Sequence, residues 1–189
     1  MARRADSRHR YTYAEYLAYE RDSELKHDFV DGEILAMAGG TLRHGALASR
    51  VSAALEANRA PGCVAFSSDV KVRVLATGRA YYPDASMVCG PIETDREDSA
   101  GRTITNATLL VEVLSPTTEA VDRGAKWLDY QQLPSLREYV LVSQSEPRIE
   151  VFRRLPSGNW EYSESAEGTL TLADGAVIDL ARLYADLPP

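Results

Sequence analysis

A single charge interrupts the most apolar stretch of the chain. Residues 108–114 read Thr-Leu-Leu-Val-Glu-Val-Leu, with Glu112 in the middle. A nearly continuous apolar run of this length is the pattern of a central strand covered on both faces, which requires a sheet flanked by other layers. Burying a carboxylate inside such a strand is costly unless it is paired or coordinates a metal. The chain must therefore fold in layers and supply Glu112 with a partner inside them.

The surrounding pattern supplies those layers. Thr12 is placed to cap a short helix over 12–20, with an uneven apolar face of Tyr13, Tyr16, Leu17 and Tyr19. Asp31-Gly32 between two apolar runs predicts a hairpin with a two-residue type I′ turn. Gly39-Gly40 breaks its second strand, and Thr41 can cap a helix from Leu42 to Asn58 whose stripe is Leu47, Val51, Ala54 and Leu55. Strands are expected at 63–66, 69–75 and 81–88; Asp69 and Lys71, on the alternating second one, read as solvent-facing. An acidic loop, 91–102, precedes the Glu112 strand, and Pro116 stops it. Thr117 or Thr118 then caps a second long helix to about Gln132. Strands follow in 136–143, 147–154 and 159–165, with a short strand near Val177 and a helical turn over 179–184. The fold class is α/β, a mixed sheet flanked by helices.

The chain has 189 residues, a length that favours one domain, over 11–189, behind a flexible basic tail at 1–10. The net charge is −7, and the first ten residues hold four Arg against one Asp, so the body stands at −10. A body this acidic does not coat duplex nucleic acid, because non-specific affinity comes from phosphate neutralisation. Any nucleic-acid site must be local or depend on bound cations. Two cysteines, Cys63 and Cys89, do not make a disulfide framework, and no CxxC spacing suggests zinc. With no apolar leader and no apolar run long enough to span a bilayer, the expectation is a cytoplasmic protein without a membrane.

Asp84 is the second acid that stands in an apolar strand, after Pro83 and 28 residues before Glu112. That separation accommodates a strand, a loop and an adjacent strand. Two carboxylates converging at neighbouring strand ends form a hard-oxygen site for Mg²⁺ or Mn²⁺. Phosphodiester hydrolysis uses such a site, since it needs positive charge at the phosphate and an activated water. Lys126 lies on the helix after the Glu112 strand and Tyr130 one turn further on the same face. Lys126 also stands four residues from Asp122, the spacing of an ordinary helix-surface ion pair. His44 and Glu33 are candidate accessory groups, although each also suits a structural or solvated position. Ser115 sits in no GxSxG elbow, which argues against a serine hydrolase. A two-carboxylate glycosidase would need an aromatic groove that Trp127 and Trp160 alone do not provide.

These residues carry a resemblance. Pro83-Asp84 followed by a mid-strand Glu112 looks like the PD-(D/E)xK nuclease superfamily. The ordered set closely resembles the Uma-two family of restriction-endonuclease-like proteins. The set comprises Asp31-Gly32-Glu33, Arg43-His44, Pro83-Asp84, the segment from Val111 to Thr118, Asp122, Lys126, Tyr130 and the Glu138–Val142 strand. The match runs from about 11 to 187. The resemblance implies a restriction-endonuclease-like core with additional strands. It also implies a divalent metal held by Asp84, Glu112 and the Val113 carbonyl. The superfamily pattern places a lysine two residues after the acid, where this chain has Leu114. The resemblance implies that Lys126 replaces it from the helix.

The expectation is therefore a Mg²⁺- or Mn²⁺-dependent endonuclease with Asp84, Glu112 and Lys126 catalytic, His44, Glu33 and Tyr130 accessory, and DNA as the nucleic acid. The alternative is a nuclease-fold module that binds DNA or a protein without turnover, which the missing lysine and the acidic body favour. A homodimer is expected by analogy with enzymes that match two-fold sites.

Overall fold

The computed structural model describes residues 9–37 and 39–189. Residues 1–8 of the expected tail lie outside the described residues, and His9 and Arg10 have no regular structure. Helix α1 (Tyr13–Asp22) begins with a capping box. The Thr12 hydroxyl accepts from the Glu15 N–H, and the Glu15 carboxylate accepts from the Thr12 N–H. Strands β1 (His27–Val30) and β2 (Glu33–Ala36) form the hairpin. Its turn residues Asp31 and Gly32 have φ of +51° and +82°, the two left-handed positions a type I′ turn demands. Helix α2 (Leu42–Asn58) is capped by the Thr41 hydroxyl, which accepts from the His44 N–H, and it buries Leu47, Val51 and Leu55.

Strands β3 (Cys63–Ser67), β4 (Lys71–Val74), β5 (Arg79–Tyr81), β6 (Ala85–Cys89), β7 (Thr103–Ile104) and β8 (Leu109–Val113) follow. The crossover after β8 is α3 (Glu119–Val121), a π-helical turn over Asp122–Lys126, and α4 (Trp127–Tyr130). The chain ends with β9 (Glu138–Val142), β10 (Ile149–Arg154), β11 (Trp160–Ser165), β12 (Thr169–Thr171), β13 (Val177–Asp179) and α5 (Leu180–Tyr184).

These strands form a six-stranded sheet in the order β11-β10-β9-β8-β6-β3, a five-stranded sheet in the order β2-β1-β5-β4-β7, and the β12-β13 ribbon. Strand β8 is interior, parallel to β9 and antiparallel to β6, and all five of its residues are buried. Because side chains alternate along a strand, β8 serves two cores. Leu109, Val111 and Val113 pack with Leu47, Val51 and Leu55 of α2 and with Leu180 and Leu183 of α5. Leu110 points the other way, with Leu114 just beyond the strand end, into a core of Tyr130, Leu133, Tyr139 and the five-stranded sheet's Val72, Val74 and Tyr81. Glu112 shares the parity of Leu110 and faces that second layer.

The expected class, mixed α/β with flanking helices, is the one observed, its strands shared between two main sheets. Three finer expectations are corrected. The single strand over 81–88 is two strands in different sheets, because Pro83 lacks the N–H a continuous ladder needs. The chain leaves one sheet at Tyr81 and enters the other at Ala85, which sets Asp84 at the crossing. The long second helix runs continuously over 119–130 and carries a π turn, Asp122–Lys126, in its middle. Thr118 makes no side-chain cap bond; its N–H instead donates to Ser115 Oγ, and Gly124 lies inside the wider π turn. Finally, Cys63 and Cys89, read as making no disulfide framework, are cross-strand partners on β3 and β6, with Cα atoms 4.0 Å apart, and are joined as a disulfide. Strand register, invisible in a spacing of 26 residues, brings them together, so the cysteines no longer support the cytoplasmic expectation. No helix of the described residues is long and apolar enough to cross a membrane.

Candidate active site

The partner that Glu112 requires is an ammonium. Lys126 Nζ donates to Glu112 Oε1 at 3.0 Å, and the Tyr130 hydroxyl donates to the same oxygen at 3.0 Å. Lys126 Nζ also lies 3.0 Å from Asp122 Oδ1. The π turn carries Asp122 at its start and Lys126 at its end, both buried, and α4 adds Tyr130. Wider turns of this kind often mark functional sites. Here the turn brings a cation and an extra carboxylate onto a strand that carries an acid in its middle.

Electrostatics follow from burial. Glu112 is 3% exposed, and burial pushes its carboxyl well above the ordinary 4.5. Lys126 works against that shift, while Asp122 and Asp84 add to it. For Lys126, burial would depress the ammonium, but Glu112, Asp122 and Asp28 outweigh it, and the net shift is upward from 10.5. Lys126 is thus a permanent cation near neutral pH. Burial likewise raises the Tyr130 hydroxyl well above its ordinary value, so it keeps the proton it donates to Glu112.

The Ala85–Val111 pairing puts Asp84 across from Glu112 at the end of the β6–β8 ladder. Asp84 Oδ2 accepts the Val113 N–H at 2.7 Å and lies 3.2 Å from His44 Nε2. His44 reaches it from the first turn of α2. The Asp84 carboxylate raises the imidazole above its ordinary 6.5, burial opposes this, and the Val113 carbonyl adds a smaller upward contribution. The Val113 N–H points at Asp84, and in an extended strand a residue's carbonyl lies on the same edge as its N–H. Gly40 backs the ring: a Cβ there would fall 2.7 Å from His44 Nδ1. An open cavity of about 590 Å³ leads to this corner, lined by Gly40, His44, Ala48, Ser52, Ser68 and Asp84.

The structure gathers Asp84, Glu112, Lys126, Tyr130, His44 and Val113 in one region. Glu33 is not among them; it is exposed on the edge strand β2 and makes no side-chain hydrogen bond or ion pair among the described residues. The acid that the hairpin does contribute is Asp28 of β1. It accepts the Tyr82 N–H at 3.1 Å, burial raises its carboxyl, and Lys126 pulls it back down. Its sequence setting, between His27 and Phe29 in an alternating hairpin strand, is that of a solvated residue. Only the chain crossing at Tyr82 exposes its role.

Four acidic side chains, Asp28, Asp84, Glu112 and Asp122, thus surround the ammonium of Lys126 and the imidazole of His44. Asp122 Oδ1 is buried without a properly directed hydrogen bond, despite its closeness to Lys126 Nζ. Among the described residues no three His, Cys, Asp or Glu side chains form a ready ligand set. The donors are two carboxylates and a main-chain carbonyl, which suits a hard cation that keeps several waters. With negative charge in excess and one acidic oxygen left without a directed donor, these residues fit a divalent cation.

Comparison with known proteins shows the family and the fold. The family described as "Uma2: Putative restriction endonuclease" matches residues 13–183. The chain belongs to the Uma2 family. Among its relatives, the uncharacterized protein slr1290 of Synechocystis sp. is 38% identical over 148 residues, 77% of this chain and 75% of that one. A second protein of that organism, the uncharacterized sll1609, is 29% identical over 154 residues, covering 81% and 86%. The crystal structure of a "putative nuclease belonging to DUF820" from Anabaena variabilis ATCC 29413 superimposes with a TM-score of 0.71. It covers 91% of this chain and 97% of that one at 14% identity, a likeness of fold. The chain therefore has the mixed α/β fold of that neighbour.

Proposed function

We propose that the chain is a Mg²⁺- or Mn²⁺-dependent endonuclease that hydrolyses phosphodiester bonds, with DNA as its substrate. The observation that carries this reading is the bond from Lys126 to Glu112. It supplies from the crossover the cation that Leu114, buried in the core, cannot supply from the strand. Asp84, Glu112 and the Val113 carbonyl would hold the metal. A divalent cation there would neutralise charge on the scissile phosphate and ease ionisation of a water.

The chain's own groups then divide the remaining work. Lys126 keeps its proton, so it does not serve as the base; its ammonium fixes the Glu112 carboxylate and adds positive charge beside the phosphate. Tyr130 holds the same carboxylate oxygen and limits its rotation. His44 orients Asp84 from the cavity side, where substrate would enter. Asp28 and Asp122 keep Lys126 charged. A DNA substrate would be met in the cytoplasm, although the Cys63–Cys89 disulfide does not itself support that location. A homodimer would let two such sites address both strands of a duplex.

The test is plasmid nicking with Mn²⁺, beside Glu112→Ala and without metal. Nicking that requires Mn²⁺ and falls by more than about 100-fold in the variant is expected. A protein that retards plasmid but never nicks it would instead be the non-cleaving module, the reading that the acidic body and Leu114 favour.

A further inference from the structure

A second cavity, of about 270 Å³, lies between α1, the start of β4 and the 97–102 loop, with Tyr82 in its wall. Lys71 lines it. The alternation of β4 suggested that Lys71 faces solvent, yet it is 3% exposed. Its nearest acidic oxygen, Asp98 Oδ2, is 3.9 Å away, beyond hydrogen-bond reach. What surrounds the ammonium instead is aromatic: the Tyr16 ring at 5.1 Å and the Tyr82 ring at 5.9 Å. Lys71 Nζ makes no hydrogen bond among the described residues and lines the cavity, so its N–H donors are left for what fills that space.

The acids of the cavity are already occupied. Asp98 accepts from the Ala100 N–H, the Arg102 N–H and the Thr103 hydroxyl. Glu20 accepts from the His27 N–H and from the Tyr82 hydroxyl, and pairs with His27 Nδ1. Glu97 is paired with Arg73. The bases are not so engaged. Neither Arg21 nor Arg102, both exposed at the mouth, makes a side-chain hydrogen bond or ion pair among the described residues. Uncommitted cations beside committed carboxylates select an anion over a metal ion. The enclosed volume approaches the smaller ligand pockets, and three separated cationic donors suit a tetrahedral anion with several oxygens.

We propose that this cavity binds a phosphate group, with Lys71 donating from its buried end and Arg21 and Arg102 from its mouth. The group is either free inorganic phosphate or the terminal phosphomonoester of a nucleic-acid strand. The site is separate from the Glu112 centre, and its occupancy needs no divalent metal and no cleavage.

The experiment is calorimetric titration of the full chain in EDTA with three probes: inorganic phosphate, a 5′-phosphorylated dinucleotide, and the same dinucleotide without its phosphate. One equivalent of inorganic phosphate or of the phosphorylated dinucleotide should bind. Lys71→Met should weaken it by about tenfold or more, as expected for losing a charge-assisted bond. Arg102→Ala, at an exposed position, should weaken it several-fold and carries the test if Lys71→Met fails to fold by circular dichroism. Tighter binding of the phosphorylated dinucleotide than of phosphate marks the strand end as the source; equal binding marks the free anion. No binding by either, equal binding of the unphosphorylated dinucleotide, or unchanged affinity in the variants overturns the proposal.

Discussion

Two buried lysines in this fold have opposite surroundings. Lys126 makes a hydrogen bond to Glu112, touches Asp122, and is pushed above its ordinary value by the acids around it. Lys71 faces aromatic rings and an acid just out of reach, and burial pulls it below its ordinary value. Among the described residues, one ammonium is the only lysine in a cluster rich in negative charge, and the other has no hydrogen-bond acceptor. The difference teaches that a buried cation can be structurally required by its neighbours or left open for a ligand, and that hydrogen-bond inventory separates the two cases.

The largest test of that contrast is Lys126→Met. Removing the cation strands Glu112 and Asp122 in the interior, and breaking a buried pair in this way costs about 3–5 kcal/mol. Urea unfolding measures it, and Mn²⁺ should restore part of the loss by binding the folded state. A loss under about 1 kcal/mol would mean that Lys126 is not what holds the acids there. Lys71→Met is expected to be much milder, within about 1 kcal/mol of the wild type, since replacing a poorly partnered buried charge by an apolar isostere is often neutral or stabilising. Equal losses for the two variants would erase the contrast.

The smallest effect is a pH dependence. Lys71 has a folded pKa below its unfolded 10.5, so between those values the unfolded chain binds more protons, and stability from this group rises with pH. Burial is the main cause. Asp98, Glu20 and Asp95 oppose it and Arg102 reinforces it, and the rings of Tyr16 and Tyr82 face the same ammonium. The wild type should therefore gain stability relative to Lys71→Met as pH rises toward 10.5, read as a difference in urea midpoints. A difference that stays flat or moves the other way contradicts the assigned surroundings.

Much of the Glu112 centre was legible because its signals are local. An acid in an apolar strand must be compensated, and Lys126 and Tyr130 lie four residues apart on the next helical segment. Caps at Thr12 and Thr41 and the Asp31-Gly32 turn were legible for the same reason, since each is decided within a few residues. Asp28, Lys71 and the Cys63–Cys89 pair were not. Each is defined by a strand register or a chain crossing that joins distant segments, and alternation in a short strand does not reveal whether both faces are covered. The same physics hid the division into two sheets: Pro83 marks a break, but nothing in its neighbourhood says that the next strand joins different partners.

The most direct measurement is anomalous diffraction from crystals equilibrated with Mn²⁺. A peak at ligand distance from the carboxylates of Asp84 and Glu112 and the Val113 carbonyl, absent from Glu112→Gln crystals, is the expected result. No peak at saturating Mn²⁺, or one elsewhere that survives the substitution, would contradict a metal centre built on these residues.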